Sequence, residues 1–258
     1  KEFAHGVQTV LKDNFVGAYQ VGSFALGDYD IDSDVDFLVV IREHLSDFQV
    51  SALQDLHKQL IEIDCLWAKH LEGSYFPLQV LTNYKRVRKD KLWFLDNGSS
   101  HLIQDVHCNT WLTRWTLREH GIILAGPAPK TLLEPISPSS IKREAFELLH
   151  EWSEEILAAD GPPGWMTNRW GQPYVVVTMS RMLMSLLRGR VHSKKAAVEW
   201  ALDNFDPYWT DLISRAWADR DQTRFAIKVN LPADSNDVNE TVRFVEMCRD
   251  YCAQNPSS

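Results

Sequence analysis

The stretch VGSFALGDYDIDSDVDFLVV, Val21 to Val40, sets five aspartates at alternate positions, Asp28 through Asp36, and then runs straight into an apolar segment. Residues two apart on a strand point to the same face, about 6.8 Å from each other. Asp34 and Asp36 therefore project together from the start of a strand over Phe37 to Ile41. Two carboxylates fixed side by side repel unless a cation sits between them. Mg²⁺ prefers a few carboxylates completed by substrate phosphates, so the pair points to a metal–nucleotide site. A solvated turn rich in aspartate is the plainer alternative. An EF-hand loop is excluded, because the glycine that should follow Asp36 is Phe37, which opens the strand.

The upstream context favours the site. Gly22-Ser23 closes an apolar segment, Val16 to Val21, and precedes a short spacer before the aspartates. Glycine permits close backbone approach, and serine with exposed N–H groups can hold phosphate. Asp28, Asp30 and Asp32 read as turn and solvent residues.

The chain has 258 residues with 45% hydrophobic and 24% charged content, ordinary for a soluble globular protein of one large domain or two modest ones. Lys and Arg total 27 against 35 Asp and Glu, a net charge of −8. That argues against coating nucleic acid or an anionic membrane, and suits a cationic partner. The four cysteines, Cys65, Cys108, Cys248 and Cys252, make no CxxC pair and read as reduced thiols in the cytoplasm. No histidine grouping has zinc or triad spacing. There is no signal peptide and no membrane-length apolar run. The chain opens at Lys1 rather than Met, so residues are expected upstream.

The pattern predicts a helix over Glu2 to Asp13, strands over Val16 to Val21 and Val35 to Ile41, and a helix over Leu45 to Ile61. It predicts a further helix over His101 to His120, ended by Gly121, and a last strand over Ile122 to Leu124. GPAPKTLLEPISPSS, Gly126 to Ser140, reads as a linker. Beyond it, helices are expected over Ile141–Ala159, Tyr174–Arg188, Lys194–Asn204, Pro207–Arg220 and Asn236–Cys252. The reading is an α+β domain over 1–130 and an all-helical domain over 139–258, with a ligand cleft expected between them.

Two features of the second half carry charge where charge is costly. Arg181 lies mid-way in a helix that is apolar nearly all round, so it needs an anion, either a structural carboxylate or a phosphate. Lys194 and Lys195 follow the N-cap candidate Ser193, at the helix end where the dipole is already positive, and an anion docking there would explain them.

Gly22, Ser23, Asp34 and Asp36, with Ser33 before the first paired aspartate, resemble the signature of the DNA polymerase β-like nucleotidyltransferases. REHGIILAGP (Arg118 to Pro127), VVVTMSRM (Val175 to Met182) and KKAAVEWAL (Lys194 to Leu202) resemble the streptomycin/spectinomycin, or aminoglycoside, adenylyltransferases of that superfamily. The resemblance spans nearly the whole chain. It implies an N-terminal nucleotidyltransferase domain with a mixed sheet flanked by helices, and a C-terminal helical domain. It implies Mg²⁺-dependent transfer of AMP from ATP to a hydroxyl of an aminoglycoside or aminocyclitol, with pyrophosphate released. A monomer binding ATP and a small polycationic acceptor is expected.

The resemblance also assigns roles. Such chemistry needs a third carboxylate as metal ligand or general base. The match is Glu72, in HLEGSYFPL, with Glu62 and Asp64 in LIEIDCLW as alternatives. Arg181 and Lys194 match phosphate-binding positions. Trp217 falls where relatives place an aromatic residue at the nucleotide, although a core tryptophan is the plainer reading. Asn109 stands where they carry an aspartate near the nucleotide, and Asp105, expected one turn earlier on the same helix, is a possible substitute. In the acceptor loop AADGPPGWMTNRWGQP (Ala158 to Pro173), Ala159 and Gly164 replace the Trp and Asp of streptomycin-modifying members, and a further aspartate is replaced near Gly171. Asp160, Trp165, Trp170 and Gln172 remain as acceptor contacts, and streptomycin is expected to be a poor acceptor. The alternatives are a different small-molecule or protein acceptor, or a nucleotide-binding protein that has lost catalysis.

Overall fold

A computed structural model describes residues 1–30, 33–84, 90–220 and 231–254. Asp32, read above as a turn residue, lies outside the described residues. The chain divides into two compact units, Lys1–Ile136 and Ser137–Ser258, with the division inside the Pro- and Ser-rich stretch.

The first unit is built on one six-stranded sheet, in the order β5-β4-β3-β2-β1-β6. The strands are β1 (Phe15–Gln20), β2 (Val35–Ile41), β3 (Leu71–Pro77), β4 (Leu92–Leu95), β5 (Leu102–Asp105) and β6 (Ile122–Ala125). β2 and β3 are parallel, while the other neighbours are antiparallel. Helices α1 (Glu2–Leu11), α2 (Gly22–Leu26), α3 (Asp47–Ile61), α4 (Leu78–Thr82) and α5 (Trp111–His120) complete it.

β2 is central and apolar from Phe37 to Ile41, all five buried, as a strand covered on both faces must be. Its alternate residues feed two cores. Phe37, Val39 and Ile41 pack with Val7 and Leu11 of α1 and Leu53 of α3. Leu38 and Val40 pack with Tyr19, Phe76, Val80, Leu81 and Leu117 on the other face. α3 starts sharply at a capping box, in which the Ser46 hydroxyl accepts from the Gln49 N–H and the Gln49 side chain accepts from the Ser46 N–H.

The helix expected over His101 to His120 is half strand. Leu102–Asp105 forms β5 against β4, and the helix begins only at Trp111, where the Thr110 hydroxyl accepts from the Thr113 N–H. The N-cap Thr110 is the start signal that the expectation passed over. Asp105 therefore ends a strand instead of sitting on the helix, and its carboxylate accepts from the His107 N–H.

The second unit is helical: α6 (Pro138–Ile156), α7 (Gly171–Arg188), α8 (Lys194–Asn204), α9 (Thr210–Arg220) and α10 (Ser235–Gln254). α7 packs against the other four helices and supplies Val175, Val176, Val177, Met179 and Leu183 to the unit's core. An apolar helix of this kind is one that others surround. The four cysteines are free thiols, and Cys248 and Cys252 lie buried in this core. Among the described residues no helix is long and apolar enough to cross a membrane.

Candidate active site

The carboxylates gather at the β2–β3 pair. In the parallel register Asp36 stands directly beside Glu72, as Leu38 does beside Ser74 and Val40 beside Phe76. Register partners share a face, so both carboxylates leave the sheet on the same side. Asp34 precedes the strand by one residue and is half-buried, so it is held at the strand's mouth and not on its ladder. Glu62 and Asp64 lie exposed in the turn after α3, outside the sheet. The structure thus brings Glu72 beside Asp36, while its two alternatives stand off the strand ladder. Gly73 explains the break in strand alternation. A Cβ there would lie 2.0 Å from the Phe37 carbonyl oxygen, so only glycine lets β3 approach β2 this closely.

Gly22 makes the second wall. Its φ is +63°, and a Cβ added to it would stand 1.7 Å from Oδ2 of Asp36. The Asp36 carboxylate fills the space that the missing side chain leaves. The Val21 N–H donates to the Asp36 carbonyl at 3.0 Å, which ties the turn to the strand. The neighbouring Ser23 hydroxyl is buried without a hydrogen-bond partner among the described residues. A buried hydroxyl in that state costs about 1–3 kcal/mol and is a natural donor to an incoming anion. Ser33 is buried, and its hydroxyl exchanges hydrogen bonds of 3.0 Å with the Asp30 N–H and carboxylate, so it closes the approach loop.

Among the described residues, no three His, Cys, Asp or Glu side chains converge as a preformed metal cage. The donor chemistry still fits Mg²⁺, which takes one or two carboxylates and completes its shell with phosphate oxygens and water. Negative charge at this end of the sheet is felt nearby. Burial pushes the Cys108 thiol up to about 12, the Ser74 hydroxyl pulls the other way, and the charges of Glu72, Asp36 and Asp105 raise it further.

Asn109 is committed elsewhere. It is buried, its amide donates to the Asp90 carbonyl at 2.9 Å, and its oxygen accepts from Arg114 at 2.8 Å. Arg114 is wholly buried and also donates to the carbonyls of Val80 and Leu81 at the end of α4. Asn109 is therefore part of a buried structural network, and its distance in kind from a charged nucleotide contact has a structural reason.

In the second unit, Arg181 and Lys194 are partly buried and have no carboxylate or hydrogen-bond partner among the described residues. Among the described residues, no structural carboxylate pairs with Arg181. Lys194 opens α8, whose N-cap Ser193 accepts from the Ala196 N–H. Its ammonium lies over the Tyr174 ring, 5.8 Å from the centroid. Tyr174, Thr178 and Arg181 share one side of α7 by their spacing of four and seven. The Thr178 hydroxyl is buried with no hydrogen-bond partner among the described residues. Sequence reasoning missed Tyr174 and Thr178, although their spacing from Arg181 was the signal.

The acceptor-loop residues separate into two groups. Trp170 is exposed and stacks on Tyr174, Trp165 is half-buried with its indole N–H donating to Glu155, and Asp160 is exposed. Gln172, in contrast, is buried, and its amide donates to Thr241 at 2.8 Å, which makes it a tie between α7 and α10. Trp217 packs against the helical core, as a tryptophan on an amphipathic helix commonly does.

A nucleotidyltransferase domain profile matches residues 7–96, and the profile of the aminoglycoside adenylyltransferase C-terminal domain matches residues 131–247. The chain joins a nucleotidyltransferase domain to a C-terminal domain of the aminoglycoside adenylyltransferase type. A spectinomycin 9-adenylyltransferase of Campylobacter jejuni is 25% identical over 222 residues, covering 79% of this chain and 78% of that protein. An aminoglycoside (3'') (9) adenylyltransferase of Klebsiella pneumoniae is 29% identical over 99 residues, which cover 38% of this chain and 34% of the relative, so the match spans about a third of that relative's length. The fold matches a crystal structure of a spectinomycin adenyltransferase from Enterococcus faecialis with ATP and spectinomycin, at a TM-score of 0.68 and 16% identity, over 96% of this chain and 97% of that one.

Proposed function

We propose that the protein transfers AMP from ATP to a hydroxyl of an aminocyclitol or aminoglycoside antibiotic and releases pyrophosphate. The observation that carries this reading is the Asp36–Glu72 register pair, with the Asp36 carboxylate seated against the bare Cα of Gly22.

Asp34 and Asp36, with Glu72, would hold Mg²⁺. When bound, the cation neutralises the triphosphate and draws electron density from the phosphorus that is attacked. Glu72 takes the proton from the acceptor hydroxyl as that oxygen bonds to the α-phosphorus. The Ser23 hydroxyl donates to a phosphate oxygen. Arg181 and Lys194 bind phosphate, since no carboxylate among the described residues neutralises them. Positioning and charge neutralisation then supply most of the acceleration, because phosphoryl transfer leaves the protein little covalent work.

The acceptor is a small polycation, in keeping with the net charge of −8. The exposed face of Trp170, with Trp165 and Asp160 in the same loop, supports a sugar or cyclitol ring as ligand. Spectinomycin is the proposed acceptor and streptomycin a poor one. Support comes from the loop, where Ala159 and Gly164 stand in place of the Trp and Asp of streptomycin-modifying members, and from relatives named for spectinomycin that align over most of the chain. The test is pyrophosphate release with ATP, Mg²⁺ and spectinomycin. Asp34→Asn should abolish it while the far-ultraviolet circular dichroism stays unchanged. Turnover that survives this change would remove the metal role from Asp34.

A further inference from the structure

We infer that Tyr174 is the positioning residue of Lys194, holding the ammonium in place for phosphate without neutralising it. This rests on the reading of Lys194 as a phosphate ligand.

A lysine at the first position of a helix gains nothing from the helix dipole, whose positive end it shares. Lys194 has that position in α8 and no carboxylate partner among the described residues. Its flexible stem would otherwise sample many rotamers, and each would have to be given up when phosphate binds. Among the described residues, its partner is the π face of Tyr174, 5.8 Å from the ammonium. An aromatic face attracts a cation through its quadrupole yet carries no net charge. A carboxylate in that place would hold the lysine more firmly, but it would also cancel the charge that phosphate needs.

Tyr174 can act this way because it is itself immobilised. Trp170 stacks on it at 4.8 Å and 14°, and Trp152 meets it at 5.9 Å. The ring belongs to the first turn of α7, whose buried face is fixed in the core of the unit. Seven residues on, Arg181 emerges on the same side of α7, about 10 Å along the axis. The ring thus places the lysine alongside the arginine, and a single polyphosphate would span the two cations.

The test varies the ring without changing its size. Position 174 is changed to phenylalanine and then to phenylalanines bearing successive fluorines, which drain the π face while keeping its shape. ATP affinity is read by calorimetry, and the KM for ATP separately from kcat. Tyr174→Phe should rescue the affinity that Tyr174→Leu loses, a loss of about two- to fivefold on the usual scale of such contacts. Affinity should fall step by step with fluorination, with kcat little changed. In a Lys194→Ala background the same series should be flat. A fluorine series that gives the same slope with and without Lys194, or no slope in the presence of Lys194, would overturn the positioning role and leave the phosphate role standing. If Lys194→Ala itself leaves ATP affinity unchanged, both fall together.

Discussion

At the scale of single residues the account turns on Gly22 and Asp36. A methyl group at position 22 would have to occupy the space where Oδ2 of Asp36 now sits, on a backbone at φ +63° that side chains rarely adopt. Gly22→Ala should therefore displace the carboxylate and destabilise the fold by more than about 1 kcal/mol. The expected outcome is a lower urea midpoint together with lost turnover, checked by denaturation and pyrophosphate release. Glu72→Gln should lower kcat by roughly 10²–10⁴-fold, the range for a lost general base, while Glu62→Gln should leave it within about twofold. The aspartate pair and the Gly-Ser turn were legible in the sequence because both signals are local. Glu72 was legible only as one of three candidates. What sets it beside Asp36 is the register of β3 against β2, and register is a long-range property that no local pattern carries.

At the scale of elements, two buried polar groups hold the sheet's neighbours. Arg114 of α5 donates to the last carbonyls of α4, and its guanidinium lies over the Tyr84 ring at 4.3 Å. Removing it leaves those carbonyls and Asn109 without their donor. Arg114→Met should cost about 3–5 kcal/mol by chemical denaturation. On the opposite face, His57 of α3 shares a buried 2.8 Å hydrogen bond with Tyr75 of β3. Burial pushes its pKa down from 6.5 to about 4. The unfolded chain therefore takes up a proton below pH 6.5 that the folded chain refuses until about pH 4. Its contribution is intact above pH 6.5 and is lost progressively as the pH falls towards 4, by as much as about 3 kcal/mol. His57→Gln should flatten that part of the stability profile, measured as urea midpoints between pH 7 and 4.5. Elements themselves were legible where the pattern is long. β2 and α8 fall where apolar run and N-cap put them. β4 and β5, of four residues each, are too short to show a period, and β5 was absorbed into a neighbouring helix. The α4 carbonyls that Arg114 holds lie more than thirty residues away in sequence, so nothing local announced them.

At the scale of the whole molecule, the chain joins a unit that presents carboxylates to one that presents cations without a carboxylate partner among the described residues, each with its own core. The change of texture at the Pro- and Ser-rich stretch coincides with that division, and the charges of Arg181 and Lys194 mark the second unit because they sit where burial and the helix dipole disfavour them. Acceptor choice belongs to this scale as well, because it depends on the whole loop from Ala158 to Pro173. The kcat/KM for streptomycin should fall well below that for spectinomycin, and equal values would remove the loop argument. The most direct test incubates the protein with ATP, Mg²⁺ and a panel of aminocyclitols and aminoglycosides, and weighs every acceptor by mass spectrometry. The account predicts that spectinomycin gains the mass of one AMP, only with Mg²⁺ present, and that Asp34→Asn abolishes the gain. A panel in which no compound gains AMP, or a gain that survives Asp34→Asn, would contradict it.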